Sequence, residues 1–459
     1  MKNIFKFIFT AAVLLSTSSC KKFLDKEPIA QSTDFITNEP NAKAAVSGMY
    51  RTMLSAYSYG QSTVIVPEFS AQHVNHASSY PEYVEFSQNK IRVDNPWTAN
   101  IWNATYATIN AANNIIKRVA EIPENLISVD KRQQFILQAK FVRALSYFTL
   151  VRAFGAVPLL TIPTEEESDL KPGRTPVEQV YTQIISDLTD ASSLPNGYTN
   201  TAETKGQATG FAAKALLSKA QLYHAATTNN YTESARLANE VITTGGFVLP
   251  SDFASIWRDE NTTESIFELQ FDAQATNTLA SVSNPSPSML FYARDASIFN
   301  LYEATDKRRD FTIYQGNAQA NPPDFKYYIG KYRQFSPPVQ NFPVIRLAEV
   351  LLIHAEAKAR LDGNVSEAAY NSYKAVRDRA GLTTPDRTTF ASVNAFVTAV
   401  QHEKRLELMF EGEAWFDYCR TGLALTEMMS VPDRNYFLYP IPAGERLVNT
   451  NLSQNPGYN

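Results

Sequence analysis

The sequence predicts a mostly α-helical fold with long loops and a few short strands. Apolar residues recur at helical spacing over long stretches, and capping residues flank these stretches. Two pairs of predicted helices also carry small residues that would let the paired helices approach closely. Hydrophobic residues make up 44% of the 459 residues and charged residues 19%, as in a folded globular body. The formal net charge of −4 gives no indication of nucleic-acid binding. No stretch after Leu15 is apolar for long enough to cross a membrane.

The N-terminus has the order of a secretory signal. A positively charged start precedes an apolar run from Phe7 to Leu15, and small residues lead into Cys20. The run is too short to span a bilayer, so residues 1–19 are expected to be a removed signal peptide. The position of Cys20 resembles that in a bacterial lipoprotein signal, in which the thiol is acylated, although Thr17 stands where Leu is usual. Residues 20–40 would then be a lipidated tether; an ordinary signal peptide followed by an unrelated cysteine is the alternative.

Residues 41–246 are predicted to form an N-terminal helical region. Its clearest helix is Val129–Phe154, where apolar residues recur at helical spacing until Gly155 ends the pattern. Asp94 and Asn95 are both possible N-caps of one further helix, and Thr175 is expected to be the N-cap of another. The other predicted helices here are Asn41–Tyr57, Trp97–Ala120, Thr175–Ser193, Gln207–Ala226 and Tyr231–Thr244.

Residues 247–459 form a second predicted region, which differs in texture. Ser265–Phe271 alternates like a strand, and Asp272–Ser288 is a long polar loop of a kind that is usually functional or mobile. Val344–Leu361 and Ser366–Ala380 then repeat the design of the last N-terminal helix pair. Pairs of this length resemble degenerate tetratricopeptide-type repeats.

Eight sequence blocks along nearly the whole chain have the order and spacing of a known family. They are CKKFLDKEP (Cys20–Pro28), IWNATYATINAANNII (Ile101–Ile116), QAKFVRALSYFTLVRAFGAVPLL (Gln138–Leu160), IFNLYEATDKRRDF (Ile298–Phe311), VIRLAEVLLIHAEAKAR (Val344–Arg360), AVRDRAGL (Ala375–Leu382), EKRLELMFEGEAWFDYCRTG (Glu403–Gly422) and YPIPAGERLVNTNLSQNPGY (Tyr439–Tyr458). Together they resemble the SusD/RagB family of outer-membrane nutrient-binding lipoproteins. Ala414 and Lys404 depart from the family's pattern, which often has Arg at both places, but neither lies at the expected ligand surface.

The resemblance implies a SusD-like helical fold and a place at the outer face of the outer membrane, held there by acylated Cys20. It implies a SusC-type TonB-dependent barrel transporter as the partner. The protein would deliver to this barrel an oligomeric nutrient, most often an oligosaccharide or polysaccharide. A peptide or another non-sugar nutrient on the same scaffold is one alternative. A lipid-anchored helical-repeat scaffold that only holds proteins together is another.

Two segments have the composition of a glycan-binding surface, on which aromatic rings stack against sugar C–H faces and polar groups bind hydroxyls. The resemblance places the family's ligand surface broadly in the same segments. Trp97 is the first choice, because it lies ahead of its helix and outside the apolar stripe; packing at the helix start is the alternative. The expected ligand contacts are Tyr59, His73, Asn75, Tyr80 and Trp97 in residues 57–97, and Tyr292 and Arg294 in residues 272–294.

The chain is not predicted to be an enzyme. Glu403, Glu407 and Glu411 share one helical face, but Lys404 and Arg405 beside them favour surface and interhelix ion pairs. A glycosidase would instead need two carboxyls facing each other across a cleft. A hydrolase is therefore the least favoured function.

No cofactor or metal site is predicted. His73 and His76 have polar neighbours, but no cysteine or carboxylate cluster completes a ligand set. A structural calcium ion has no EF-hand-like spacing to support it. His354 is predicted to be a packed helix residue, and Cys419, beside two aromatic residues, a small core hydrophobe.

Overall fold

The computed structural model describes residues 35–76, 80–165, 171–286, 289–428 and 430–458. Cys20, the predicted signal peptide and most of the predicted tether therefore lie outside the described residues. Helices predominate in the described chain, which confirms the mostly α-helical class. Within these ranges no helix combines the length and apolar character needed to cross a membrane.

The α-helices and the β-strands of the described chain are each numbered in chain order. The helices are α1 Glu39–Thr52, α2 Ser62–Ser70, α3 Pro81–Ser87, α4 Pro96–Glu121, α5 Val129–Phe154, α6 Val177–Ala191, α7 Thr201–Gly206, α8 Gly210–Thr228, α9 Thr232–Thr244, α10 Ser255–Arg258, α11 Thr278–Val282, α12 Ala296–Phe299, α13 Arg309–Thr312, α14 Leu347–Asp362, α15 Glu367–Arg379, α16 Val393–Glu407, α17 Ala414–Thr421, α18 Ala424–Glu427 and α19 Ala443–Val448. The strands are β1 Val74–His76, β2 Ser265–Leu269, β3 Phe291–Ala293, β4 Ile313–Gln315, β5 Tyr327–Ile329 and β6 Phe342–Arg346.

Helix α5 has the bounds that its periodicity predicts. The Ser128 hydroxyl accepts a hydrogen bond from the backbone N–H of Lys131, and Gly155 ends the helix with a φ of 72°. Both Phe141 and Phe148 are completely buried. The helix therefore lies in the middle of the core, with α4 packed on one side and α6 on the other.

The predicted helix pairs are present and stack on each other. Helices α8 and α9 approach closely at Ser218 and Ser234, where each hydroxyl donates to the other residue's carbonyl at 2.9 Å. Helix α9 also packs against α14, which pairs with α15. This arrangement confirms the interpretation as degenerate helix-pair repeats.

Three predicted helix ends are wrong, each because other contacts prevail. Helix α1 stops at Thr52 rather than Tyr57, and turns follow it in which Gly60 lies so close to the Leu54 carbonyl that a side chain would collide there. Thr175 does not cap α6; it forms a bridge with Val157, and the cap position belongs to Pro176. Helix α14 begins only at Leu347, because residues 344–346 pair with β2.

The two segments with the composition of a glycan-binding surface are largely ordered and packed. All nine residues of α2 are buried, so much of residues 57–97 belongs to the core. In the stretch 272–288, Asn277 is completely buried and its amide donates to the Gln340 carbonyl at 2.8 Å. Leu279 is also completely buried. The prediction of one long polar loop is therefore wrong, because its polar groups satisfy the protein's own backbone.

Candidate functional site

A sheet of four short strands joins the two segments in which ligand contacts are expected. The strand order is β1-β3-β5-β4, and all neighbours are antiparallel. Asn75 in β1 pairs directly with Tyr292 in β3. The sheet therefore brings residues of the first segment beside residues of the second, as the sequence predicted.

One face of this sheet is locked into the core. Directly paired residues of neighbouring strands point to the same face, and successive residues alternate between the faces. Five side chains of this face are at most 2% exposed: Val74, Phe291, Ala293, Ile313 and Ile329. His76 and Tyr327 on the same face are half-buried, and Gln315 at the end of β4 is exposed.

The opposite face, which we call the outer face, carries a row of tyrosines. Tyr314 pairs with Tyr328, and the pairing of Ala293 with Tyr327 brings Tyr292 beside Tyr328. The tyrosine row is thus Tyr292, Tyr328 and Tyr314, with Asn75 next to Tyr292 at its end. Since neighbouring strands lie about 4.8 Å apart, the line from Asn75 to Tyr314 is about 14 Å long.

Cations lie directly on this row. The Arg333 guanidinium carbon is 4.0 Å from the ring centre of Tyr314, and the Lys326 Nζ is 5.8 Å from that of Tyr292. The Tyr314 and Tyr328 rings are stacked at 5.2 Å. The Tyr328 hydroxyl donates to Asp324 at 2.6 Å, and this bond lowers the pKa of the Asp324 carboxyl. Tyr292 and Tyr314 are partly exposed, whereas Tyr328 between them is only 4% exposed. The solvent-facing surface therefore consists of two rings, the Asp324 carboxylate and the two cations.

A second aromatic group packs against the inward face of the sheet, where the ring centres of Phe69 and Tyr83 lie 5.8 and 5.2 Å from that of Phe291. The Trp97 ring stacks on Tyr83 at 4.7 Å, and Tyr83 stacks on Phe69 at 4.7 Å. The Tyr80 ring centre lies 6.1 Å from that of Tyr83. Tyr83 and Phe69 are completely buried, whereas Trp97 and Tyr80 remain partly exposed. We call the two partly exposed rings, Trp97 and Tyr80, the exposed end of the aromatic stack.

His73 is completely buried and cannot offer a surface to a ligand, which corrects the sequence prediction. Its Nδ1 lies 2.6 Å from the Glu68 carboxylate, and the Arg405 Nε–H donates to its Nε2 at 2.9 Å. Nε2 is therefore an acceptor and Nδ1–H a donor, and burial lowers the pKa of the imidazole and keeps it neutral. The His73 carbonyl accepts from Arg294 N–H at 2.8 Å. His73 is thus a buried residue that helps to hold β1 beside β3.

Two other expected contacts differ in their surroundings. Tyr59 packs with its ring centre 6.0 Å from that of Phe342, and burial raises the pKa of its phenol to about 12. Tyr59 is partly exposed and lies beside β6 rather than beside the four-stranded sheet, and its role as a ligand contact stays a prediction. The Arg294 side chain is 43% exposed and donates to the Gln72 Oε1 at 3.1 Å.

The three glutamates of the predicted ion-pair face are buried rather than on the surface. Glu407 is completely buried and contacts three guanidiniums, those of Arg308, Arg346 and Arg379. Burial opposes its charge, but these three cations outweigh burial and hold the pKa of Glu407 well below its usual range.

The neighbouring glutamates are paired in the same way. Glu403 lies 2.6 Å from Arg308, and Glu411 lies 2.7 Å from Arg346 and 2.5 Å from Lys331. The ion pairs are thus confirmed and their surface position is wrong. No carboxylate of this network is free to act on a substrate. In the described ranges, no group of three or more His, Cys, Asp or Glu side chains could hold a metal ion.

Residues 22–222 match a family described as "Starch-binding associating with outer membrane", and residues 314–432 match one described as "SusD family". The chain belongs to the SusD/RagB family.

Relatives of this SusD/RagB family member match it from end to end. A SusD-like protein of Bacteroides ovatus is 25% identical, covering 95% of this chain and 85% of the relative. The structure of a SusD superfamily protein from Parabacteroides distasonis superposes with a TM-score of 0.79 at 26% identity, covering 91% and 99%. A laminarin-binding SusD-like protein superposes with a TM-score of 0.78 at 27% identity, covering 92% and 100%. The SusD-like fold predicted by the resemblance is confirmed.

The sequence did not single out several residues that the outer face brings together. Tyr314, Tyr328, Lys326 and Arg333 lie in or beside two strands of only three residues each. The stretches IYQ and YYI, with Gly316 and Asn317 following the first, carry a weak hairpin signal. That signal could have added Tyr314 and Tyr328 to the site of this SusD/RagB family member.

Proposed function

We propose that this SusD/RagB family member binds a glycan chain on the outer face. The observation that supports the proposal most directly is the tyrosine row. Its partly exposed rings, Tyr292 and Tyr314, and the neighbouring polar groups lie on the face opposite the one that packs into the core. Such a rigid, open surface suits a polymer better than a small molecule, which usually binds in a concave pocket.

The residues of the outer face divide the work of binding. The apolar C–H face of a sugar ring packs against Tyr292, while the Asn75 amide, the Lys326 ammonium and the Arg333 guanidinium bind hydroxyls. Trp97 and Tyr80, at the exposed end of the aromatic stack, offer further ring surface. No bond is made or broken in the sugar, so the proposed role is binding and not hydrolysis. The internal pairing of Glu403, Glu407 and Glu411 supports that role.

We further propose that the protein works at the cell surface with a transporter. Residues 1–19 would be removed, Cys20 would be acylated, and residues 20–40 would tether the two helical regions 41–246 and 247–459 to the outer membrane. The bound glycan would pass to a SusC-type TonB-dependent barrel. The family description, which names starch binding in association with the outer membrane, and the laminarin-binding relative support this picture.

A binding experiment tests the site and the ligand class. The chain from Lys21 onwards is titrated calorimetrically with laminarin, starch and a peptide mixture. We expect a polysaccharide to bind, and Tyr292→Ala with Tyr314→Ala to weaken binding roughly 30-fold, because loss of a central aromatic contact costs about 2 kcal/mol.

Phe35→Ala is the matched control. Phe35 is 46% exposed, and its neighbours Ile36 and Thr37 line a pocket with Arg118 and Glu121, near the end of α4 that lies roughly 35 Å along the helix from Trp97. This variant should bind like the parent chain. If the peptides bind more tightly than the polysaccharides, the ligand is a non-sugar nutrient. Unchanged polysaccharide binding in the double variant would refute the outer face as the site.

The anchor is tested separately in cells. Cys20→Ala should abolish uptake of the glycan while the purified chain still binds it, because the lipid positions the protein and the outer face binds. Loss of binding by the purified variant would contradict that separation.

A further inference from the structure

A small cleft lies in the N-terminal helical region, between α1, α5 and the segment around α7. Its volume is about 240 Å³. It is lined by residues of three kinds: charged residues at the mouth, amides and tyrosines within, and two apolar side chains. These are Glu39, Lys43, Val46, Ser47, Tyr50, Lys131, Gln134, Phe135, Tyr198, Thr199, Glu203 and Gln207.

The floor of this cleft is a fixed hydrogen-bond network. Gln138 beneath it is completely buried, accepts from the Tyr50 hydroxyl at 3.0 Å and donates to the Gln207 Oε1 at 3.2 Å. The Ala208 N–H donates to the Tyr50 hydroxyl at 2.9 Å, and the Tyr198 hydroxyl donates to the Ala208 carbonyl at 2.5 Å. The two phenols and the Gln207 amide are therefore held in place before any ligand arrives, which lowers the entropic cost of binding.

The charges at the mouth balance each other without forming ion pairs. Lys43 and Lys131 oppose Glu39 and Glu203, and no ion pair within 4 Å joins any of the four to a described residue. Equal numbers of both signs disfavour a ligand with a net charge. The amides of Gln134 and Gln207 also disfavour a purely apolar ligand, since their hydrogen-bonding groups would lose water without replacement.

We propose that this cleft is a second binding site, which takes one neutral, hydroxyl-rich ring such as a monosaccharide. Its volume is below the 300–1,000 Å³ typical of sites for drug-sized ligands, so it holds a single ring rather than a chain. Val46, Phe135 and the tyrosine rings contact the C–H face of the ring, and the amides and mouth charges bind its hydroxyls. The site does not depend on glycan binding at the outer face.

Saturation-transfer NMR and calorimetry test the site, with glucose, galactose, mannose, xylose, arabinose and fucose as probes. The protein is the chain from Lys21 onwards. Ser47→Trp places a large ring in the cleft from an exposed position, so the floor network and the fold are preserved. Ala44→Trp is the matched control, because Ala44 is exposed on the same helix and does not line the cleft.

We expect at least one of the six sugars to bind, and Ser47→Trp to weaken that binding by about tenfold or more. Ala44→Trp and the double variant Tyr292→Ala, Tyr314→Ala should bind the sugar like the parent chain. Binding by none of the six sugars would overturn the proposal, as would equal binding by Ser47→Trp. Loss of binding in the Tyr292, Tyr314 variant would assign the sugar to the outer face. Tighter binding of glycine or glutamate than of any sugar would overturn the ligand class.

Discussion

The network around Glu407 and the outer face both concentrate charged and aromatic side chains, yet their charges have different partners. Around Glu407, every carboxylate meets a guanidinium or ammonium inside the protein. On the outer face, Lys326 and Arg333 lie against tyrosine rings and face solvent. A dense cluster of acids is therefore no sign of a catalytic site when its charges neutralise each other. Cations that lie on partly exposed rings instead indicate a surface that can bind a ligand.

The largest effect is expected at Glu407. Glu407→Gln leaves Arg308, Arg346 and Arg379 with one negative charge fewer in a buried place, which should lower the free energy of unfolding by roughly 3–5 kcal/mol. Urea unfolding measures the change, and glycan affinity of the folded variant should equal that of the parent. A variant of unchanged stability would show that the network does not hold the fold.

The next largest effect is a pH dependence of the free energy of unfolding, which arises at His354 in α14. Burial, aided by nearby Lys358, lowers the pKa of His354 from 6.5 to about 4. Between these pH values the unfolded chain binds a proton that the folded chain does not, so the free energy of unfolding falls as the pH falls. His354 should account for up to about 3 kcal/mol of that fall.

His354→Gln isolates this contribution. Urea unfolding at pH 7 and pH 4 should show a smaller loss of stability for the variant than for the parent chain, because acidic side chains titrate in both. His402→Gln, at an exposed position of α16, is the control and should behave like the parent. An equal loss in all three proteins would contradict the role of His354.

A smaller effect separates the two tryptophans of α4. Trp97→Ala should weaken glycan binding about tenfold, since it removes exposed ring surface worth about 1–2 kcal/mol. Trp102 is only 3% exposed, so Trp102→Phe should lower stability by roughly 1–2 kcal/mol and leave affinity unchanged. The reverse result would make Trp97 a packing residue at the helix start, which was its alternative interpretation.

The smallest effect is expected at an exposed ion pair. Arg51 lies 2.8 Å from Asp272, and the two side chains are 45% and 43% exposed. The side chain of Arg51 lowers the pKa of Asp272 to about 2 by hydrogen bonding, but solvent screens the pair. Arg51→Met should therefore change the free energy of unfolding by less than about 1 kcal/mol. A loss as large as that of Glu407→Gln would remove the distinction between buried and exposed pairs.

The long helices could be predicted from the sequence because their information is local. Val129–Phe154 carries its periodicity, its Ser128 cap and its Gly155 terminator within one stretch. The end of α14 at Asp362 is equally local, whereas its start depends on residues 344–346 pairing with β2 far away in the chain. Periodicity does not record such a pairing.

The site was predictable only in part for the same reason. Asn75 and Tyr292 were chosen for their composition, and they do meet across β1 and β3. His73 has the same polar texture in the sequence, but Glu68 and Arg405 bury it. Tyr314 and Tyr328 were missed because strands of three residues leave almost no pattern to detect.

The division of the four-stranded sheet into a locked face and an open face has a consequence for how such a protein can change. Folding depends on the inward residues, such as Phe291 and Ile329, so substitutions there would be eliminated by loss of stability. Asn75, Tyr292 and Tyr314 are less buried than these residues, so their exchange should cost less stability. A different glycan could therefore be bound after a few substitutions on one surface, while the scaffold that supports this surface remains unchanged.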